Sequence, residues 1–392
     1  MKNSASEIYA ADHSTAYQHA FKYIRQLAIL LRQSIKVQTK VCESSITRLR
    51  NDQLRAPQDA YKQVYNWQYV HCVDFWSLVL ARACDAEAKI EHGGESSSLA
   101  PLVYPLVQVT TGALKLISNS RSYPYHFHLI KSLIHLVRHT HTYIPLAPYL
   151  LPIITSTLNT GKPKSSTIRP LDMETNIRAP QQLLRTRVYE EGLIEEAAYL
   201  LGDYLSTRPI MASIAFPEVA TPVVVALRRA LKTGKTSGGS AKSKEVGMVK
   251  SLVERVEESA KVTEKQRLGV RFGPGDTKEI DEWEEQLNVE ETPLGKYMRV
   301  QKKAREKKRK LVEKVSVWDL DVIVIVSALI PLLSRREAGK MRCWKINCLG
   351  HPLSYLTYNL WGFQHGYSFL QSSSVDTVFA SRYRDRYGPL VP

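Results

Sequence analysis

The stretch YQHAFKYIRQLAILLRQSI, Tyr17 to Ile35, decides the fold. Phe21, Ile24, Leu27, Leu31 and Ile35 recur at three and four, which draws one apolar stripe along an α-helix. Alternation of the kind a strand needs is scarce along the chain, and no Asn-Gly hairpin turn occurs. The same helical spacing returns downstream. A helix is expected over about Tyr17 to Arg50. A second follows Pro57 and ends before Gly93-Gly94. Others span about Pro101 to Ile117, Tyr125 to His139 and Pro148 to Leu158. Pro57, Pro101, Pro145 and Pro148 sit at first turns, where the missing N–H costs little. Gly161 to Pro180 reads as an extended connector, and helices resume at about Gln181 to Leu205 and Ala212 to Leu231. Successive amphipathic helices with short breaks predict an all-α chain, a HEAT/armadillo-like α-solenoid of antiparallel helix pairs with charged C-terminal helices. No exact repeat is visible, so helix length and order alone carry that expectation.

Four segments follow: a helical-repeat domain over residues 1–232, a flexible Gly/Ser/Lys linker over 233–245, a charged helical extension over 246–314, and an atypical stretch over 315–392. The extension has too little apolar surface for a core of its own, so it should lie along the solenoid or order on a partner.

The chain has 392 residues, with 54 Lys and Arg against 38 Asp and Glu, a net charge of +16. That excess favours polyanionic partners, RNA or DNA foremost. It has two concentrations. No acid lies between Glu95 and Asp172, a stretch holding Lys115, Arg121, Lys131 and Arg138 together with five histidines. The denser run, Arg299 to Lys314, includes Lys302, Lys303, Arg305, Lys307, Lys308, Arg309 and Lys310 against only Glu306 and Glu313. Those residues are the nucleic-acid candidates, and the run could also be a nuclear localisation signal. An acidic counterweight runs from Asp276 to Glu291.

Catalytic templates fail on spacing. Gly234-Lys235-Thr236 ends like a phosphate loop, but the first glycine would fall at Arg229, and a helix precedes it. His135 and His139 share a helix face without the Glu or the cysteine pair a zinc site would need. No G-x-S-x-G is present. The pairs Glu190-Glu191 and Glu195-Glu196 read as surface acids. Five scattered cysteines make no disulfide framework. No basic-then-apolar leader argues for secretion. The longest apolar run, Val322 to Leu333, is shorter than the ~20 residues a spanning helix needs. No enzyme, cofactor, metal, membrane or small-molecule substrate is expected. The aromatic segment YKQVYNWQYVHCVDFW, Tyr61 to Trp76, could be core, a protein interface or a base-stacking platform. Tyr65, Trp67, Tyr69, Phe75, Trp76 and, further on, Phe216 are the interface candidates.

Seven blocks carry a family resemblance. They are VYNWQYVHCVDFWSLVL (Val64 to Leu80), LVYPLVQVTTGALKLI (Leu102 to Ile117), YPYHFHLIKSL (Tyr123 to Leu133), TYIPLAPYLL (Thr142 to Leu151), RTRVYEEGLIEEA (Arg185 to Ala197), SIAFPEVATPVVVALRR (Ser213 to Arg229) and ETPLGKYMRV (Glu291 to Val300). In that order they resemble the nucleolar complex protein 2 family, over about Tyr17 to Lys314. The resemblance implies a helical-repeat, non-enzymatic assembly factor of the nucleolus and nucleoplasm. Such proteins pair with nucleolar complex protein 1 or 3 family members and act on large-subunit precursors, hence on the pre-ribosomal particle and pre-rRNA. The rival reading is a nuclear adaptor that binds histones or transcription factors through Asp276 to Glu291; RNase treatment of a pulldown separates the two. Family members usually carry a longer N-terminal portion, so a first helical unit is expected to be missing. After about Lys314 the sequence matches nothing in the family, and a gene-model error is the first explanation, a lineage-specific tail the second.

Overall fold

The computed structural model describes residues 2–46, 61–85, 97–160, 163–238, 243–273 and 275–334. The chain divides into two units, residues 1–314 and 315–392. Only helical residues 315–334 are described in the second. Every extended regular element among the described residues is a helix, and the one β-type contact among them is an isolated bridge between Lys164 and Thr186.

The long helices are α1 (Lys2–Ala11), α2 (His13–Ile46), α3 (Trp67–Ala83), α4 (Val103–Leu116), α5 (Tyr123–Thr140) and α6 (Ala147–Asn159). They continue with α7 (Arg187–Leu205), the short α8 (Arg208–Met211), α9 (Phe216–Gly238), α10 (Ser243–Arg267), α11 (Thr277–Gln286) and α12 (Pro293–Ser334). Their starts have local causes. Asn66 caps α3 by accepting the Tyr69 N–H at 2.8 Å, and its amide donates back to the Lys62 and Gln63 carbonyls. Thr186 caps α7 through the Tyr189 N–H. Proline stands in the first turn of α5, α6 and α8, where its fixed φ suits the helix. The expected breaks at Pro57 and Gly93-Gly94 lie outside the described residues. Helix α9 runs to Gly238 and α10 begins at Ser243, so helix extends into both ends of the segment read as a linker.

Packing links helices two apart in sequence as much as neighbours: α3 with α5, α2 with α4, α5 with α7. The α6 helix packs on both α7 and α9, and α10 lies on α9 and α7. The contact of α10 runs through Val249, Leu252, Val253 and Val256, all buried, whereas α11 has no buried residue. Helix α7 is buried on nearly every side, including Leu193, Ile194, Leu201 and Tyr204, and so occupies the centre of the packing. The connector after α6 is clasped from below. Tyr65 Oη donates to the Ile177 carbonyl at 2.7 Å and Arg121 Nε donates to the Ala179 carbonyl at 3.2 Å, while Tyr189 Oη fastens the loop between α4 and α5 by donating to the Ser120 carbonyl.

One buried polar side chain seals a helix end. His126 is 3% exposed, and its Nε2 donates to the carbonyl of Ile117, the residue that closes α4. Burial holds its pKa down at about 4, against the pull of that carbonyl. Unfolding returns the ring to about 6.5. Between those values the unfolded chain binds more protons, so stability is full above about pH 6.5 and declines as pH falls toward 4. From pH 7 to pH 5 His126 should cost about 2 kcal/mol. Urea titrations of the wild type and of His126→Gln at both values should show a flatter pH dependence in the variant; equal slopes would refute the assignment.

Candidate functional site

The basic run lies on α12, and α12 is docked. Leu294 and Met298 are buried at its start, and the Leu294 N–H donates to Ser259 Oγ at 2.9 Å. One and two turns on, the same face turns from apolar to charged. Lys302 Nζ is 2.7 Å from Asp203 Oδ1, Arg305 is 2.7 Å from Glu196 Oε2, and Lys308 is 3.4 Å from Glu195 Oε1. The Arg305 guanidinium also stacks over the Tyr199 ring, 3.7 Å from its centroid. Partner numbers fall on α7 as they rise on α12, so the two helices run antiparallel here. Gly202 lets them approach: a Cβ there would stand 2.6 Å from Met298 Sδ and 3.2 Å from Leu252 Cδ1.

Helix α5 supplies the other half of the charge pattern. Lys131 Nζ is 2.8 Å from Glu196 Oε1, and Arg138 Nη2 is 2.9 Å from both Asp203 carboxylate oxygens. Lys131 and Arg138 are two helical turns apart, as are Glu196 and Asp203, so the two pairs stack in register. Each acid of α7 is therefore held between two cations, one from α5 and one from α12. Glu190 and Glu196 are buried, which corrects the reading of both acid pairs as wholly surface groups. Burial pushes the Glu196 carboxyl up, but the Lys131 ammonium and the Arg305 guanidinium outweigh it and hold its pKa below the ordinary value. Beside this array lies an open cleft of about 480 Å³ whose lining includes Lys131, Arg138, Lys302, Arg305 and Arg309 with Glu174, Asp203 and Glu306.

The seven candidates of α12 thus divide. Lys302, Arg305 and Lys308 face α7. Lys303, Lys307 and Lys310 are exposed on the opposite face, and Arg309 lines the cleft beside Lys302 and Arg305. Lys310 pairs with Glu306 one turn back, at 2.8 Å, whereas Lys303 and Lys307 make no ion pair among the described residues. Of the upstream candidates, Lys131 and Arg138 belong to the charge array and Arg121 to the connector clasp. Lys115 is exposed in the last turn of α4.

The aromatic candidates pack within the chain. Tyr69, Trp76 and Phe216 are core residues, and Tyr65 is buried under Arg178, whose guanidinium lies 4.7 Å from the ring centroid. Trp67 is half-buried between His71 and His128, and Phe75 is half-buried against Tyr9. Sequence reasoning missed Glu196, Tyr199 and Asp203. The signal available for them was the shared seven-residue spacing of acids on one helix and cations on another. Among the described residues no three His, Cys, Asp or Glu side chains gather as a metal would require, and no helix is long and apolar enough to cross a membrane.

Glu196→Gln strands Lys131 and Arg305 and should lower stability by roughly 1–3 kcal/mol, the half-exposed cations moderating the cost. In the wild type this contribution is present above about pH 4.5 and lost as pH falls through the depressed pKa of Glu196. Thermal melts should show the wild type losing more on acidification below about pH 4.5 than E196Q; parallel losses would exclude Glu196 as the keystone.

The Noc2p family model matches residues 1–301. A NOC2 family protein of Schizosaccharomyces pombe is 36% identical over 312 residues, covering 80% of this chain and 40% of its own. Nucleolar complex protein 2 of Drosophila melanogaster is 30% identical, over 79% of this chain and 36% of its own. Nucleolar complex-associated protein 2 of Arabidopsis thaliana is 26% identical, over 79% and 36%. The chain therefore spans about two fifths of the length of these relatives. A family model that takes in α1 through the start of α12, with relatives aligned over four fifths of the chain, places it in the Noc2p family.

Proposed function

We propose that this chain is a non-enzymatic assembly factor of the nucleolus and nucleoplasm that works on precursors of the large ribosomal subunit. Its helical stack serves as a HEAT-like scaffold, with nucleolar complex protein 1 and 3 family members as its partners. Its basic helix holds pre-rRNA. The names of the fruit-fly and plant relatives support the nucleolar setting. The observation that carries the RNA contact is the two-sided character of α12. Three cations anchor the helix on α7, and that anchoring presents Lys303, Lys307 and Lys310 outward on a braced rod, with Arg309 at the cleft beside Lys302 and Arg305. A braced array of cations suits phosphates, whose contacts give salt-dependent affinity without reading sequence.

The two faces of α12 should respond differently to mutation. Lys303→Gln with Lys307→Gln should weaken binding to a pre-rRNA fragment and leave the melting temperature unchanged. Its salt slope should fall by about 0.7 for each single-strand phosphate that the protein ceases to neutralise. Lys302→Gln with Arg305→Gln should lower the melting temperature as well, because it breaks the docking. Filter binding across a salt series, with melts in parallel, reads both. An unchanged salt slope in K303Q/K307Q, with loss of nuclear accumulation in cells, would assign the outward face to import instead.

A further inference from the structure

Helix α2 carries an apolar face that the chain's own core leaves open. Its inward residues, Ala16, Ala20, Ile24, Leu27 and Leu31, are buried. One step round the helix, Tyr17 is 37% and Phe21 49% exposed, and their rings lie parallel with centroids 6.4 Å apart. The positions Tyr17, Phe21, Ile24, Ala28 and Leu31 alternate four and three apart, which is the spacing of a coiled-coil seam. Half of that seam is in the core and half faces outward. It runs on into an open, mainly apolar groove of about 400 Å³ between α2 and α4, walled by Ala28, Leu31 and Val109. The helices meet closely there, since a Cβ on Gly112 would lie 2.6 Å from Leu31 Cδ2.

The charges beside the seam are of one sign. From His13 to Cys42 the helix has no Asp or Glu. Arg25 and Arg32, seven residues apart and both exposed, lie along the outer edge of the stripe, where the flanking positions of a coiled coil select the partner by charge. A second copy of α2 would bring arginines against arginines. We infer that this face of α2, with its groove against α4, seats an amphipathic helix of another protein that has leucine-like residues along its seam and Asp or Glu on its flanks. The surface is on different helices from the RNA contact proposed for α12, so one chain could hold an RNA and an acidic helix together.

Two synthetic four-heptad peptides, with Leu along the seam and either Glu or Lys on the flanks, test this by fluorescence anisotropy against the full chain. The acidic peptide should bind and the basic one should not. Phe21→Asp, at an exposed position, should weaken the acidic peptide at least about tenfold, and Tyr17→Asp should act in the same direction, with circular dichroism unchanged in both. Arg25→Glu with Arg32→Glu should reverse the preference toward the basic peptide. Lys303→Glu with Lys307→Glu should leave peptide binding as it was, which separates this surface from the RNA contact. Four results would overturn the inference: equal binding of both peptides, equal loss from K303E/K307E and R25E/R32E, an F21D-sensitive dimer in sedimentation, or F21D-sensitive capture on phosphatidylserine–phosphatidylcholine vesicles.

Discussion

The organisation depends on helix α7 being buried with its charges. A central helix in an all-helical stack would ordinarily be apolar on every side. This one keeps Glu196 and Asp203 within its covered surface, and each is tolerated only because two cations meet it, from helices on different sides. Taking a carboxylate out of water costs several kcal/mol, and a well-placed pair of partners is what returns it. The charge array therefore contributes less to raw stability than to register. Apolar surfaces slide over one another at little cost, but the seven-residue match between Lys131/Arg138 and Glu196/Asp203 leaves one alignment of α5, α7 and α12.

That register gives the basic run two faces that its composition conceals. On a solvated helix, nine cations in sixteen residues would repel one another and fray. Here the acids of α7 neutralise one face, and the neutralised face is the one that docks. Lys303, Lys307 and Lys310 then lie together on the opposite, exposed face of a helix whose orientation is set by that docking. The arrangement uses a protein acid ridge to position a surface suited to phosphates.

Much of the fold was legible in the sequence, because apolar spacing and proline-led first turns are local properties. The expected starts at Pro101, Tyr125 and Pro148 fall within three residues of helix starts in the structure. Residue type alone could not say which neighbour each charge would meet. Lys131 and Arg138 look like free cations in an acid-free stretch, yet their acids arrive some sixty-five positions later. Tyr65, Tyr69, Trp76 and Phe216 look like surplus aromatic surface, yet all four are buried within the chain, Tyr65 against Tyr125 and Trp76 against Tyr9 and Tyr23. The opposite error occurs at Phe21, which reads as the inner face of α2 and stands half in solvent. A stripe wider than one neighbour can cover shows its breadth in sequence, but not which edge is left over.

The clasp on the connector sets an order on the birth of the molecule. Tyr65 reaches the carbonyl of Ile177, 112 positions ahead of it, and Tyr189 reaches back 69 positions to Ser120. Contacts so distant along the chain form late, since a long loop must close before they stabilise anything. During synthesis the early helices can pair with one another, but the loop between α4 and α5 gains its last fastening only after α7 has emerged. A chain halted in the connector would hold nearly all of its α3–α5 packing and none of this lock, with Tyr65 left uncovered at the edge of an unfinished core.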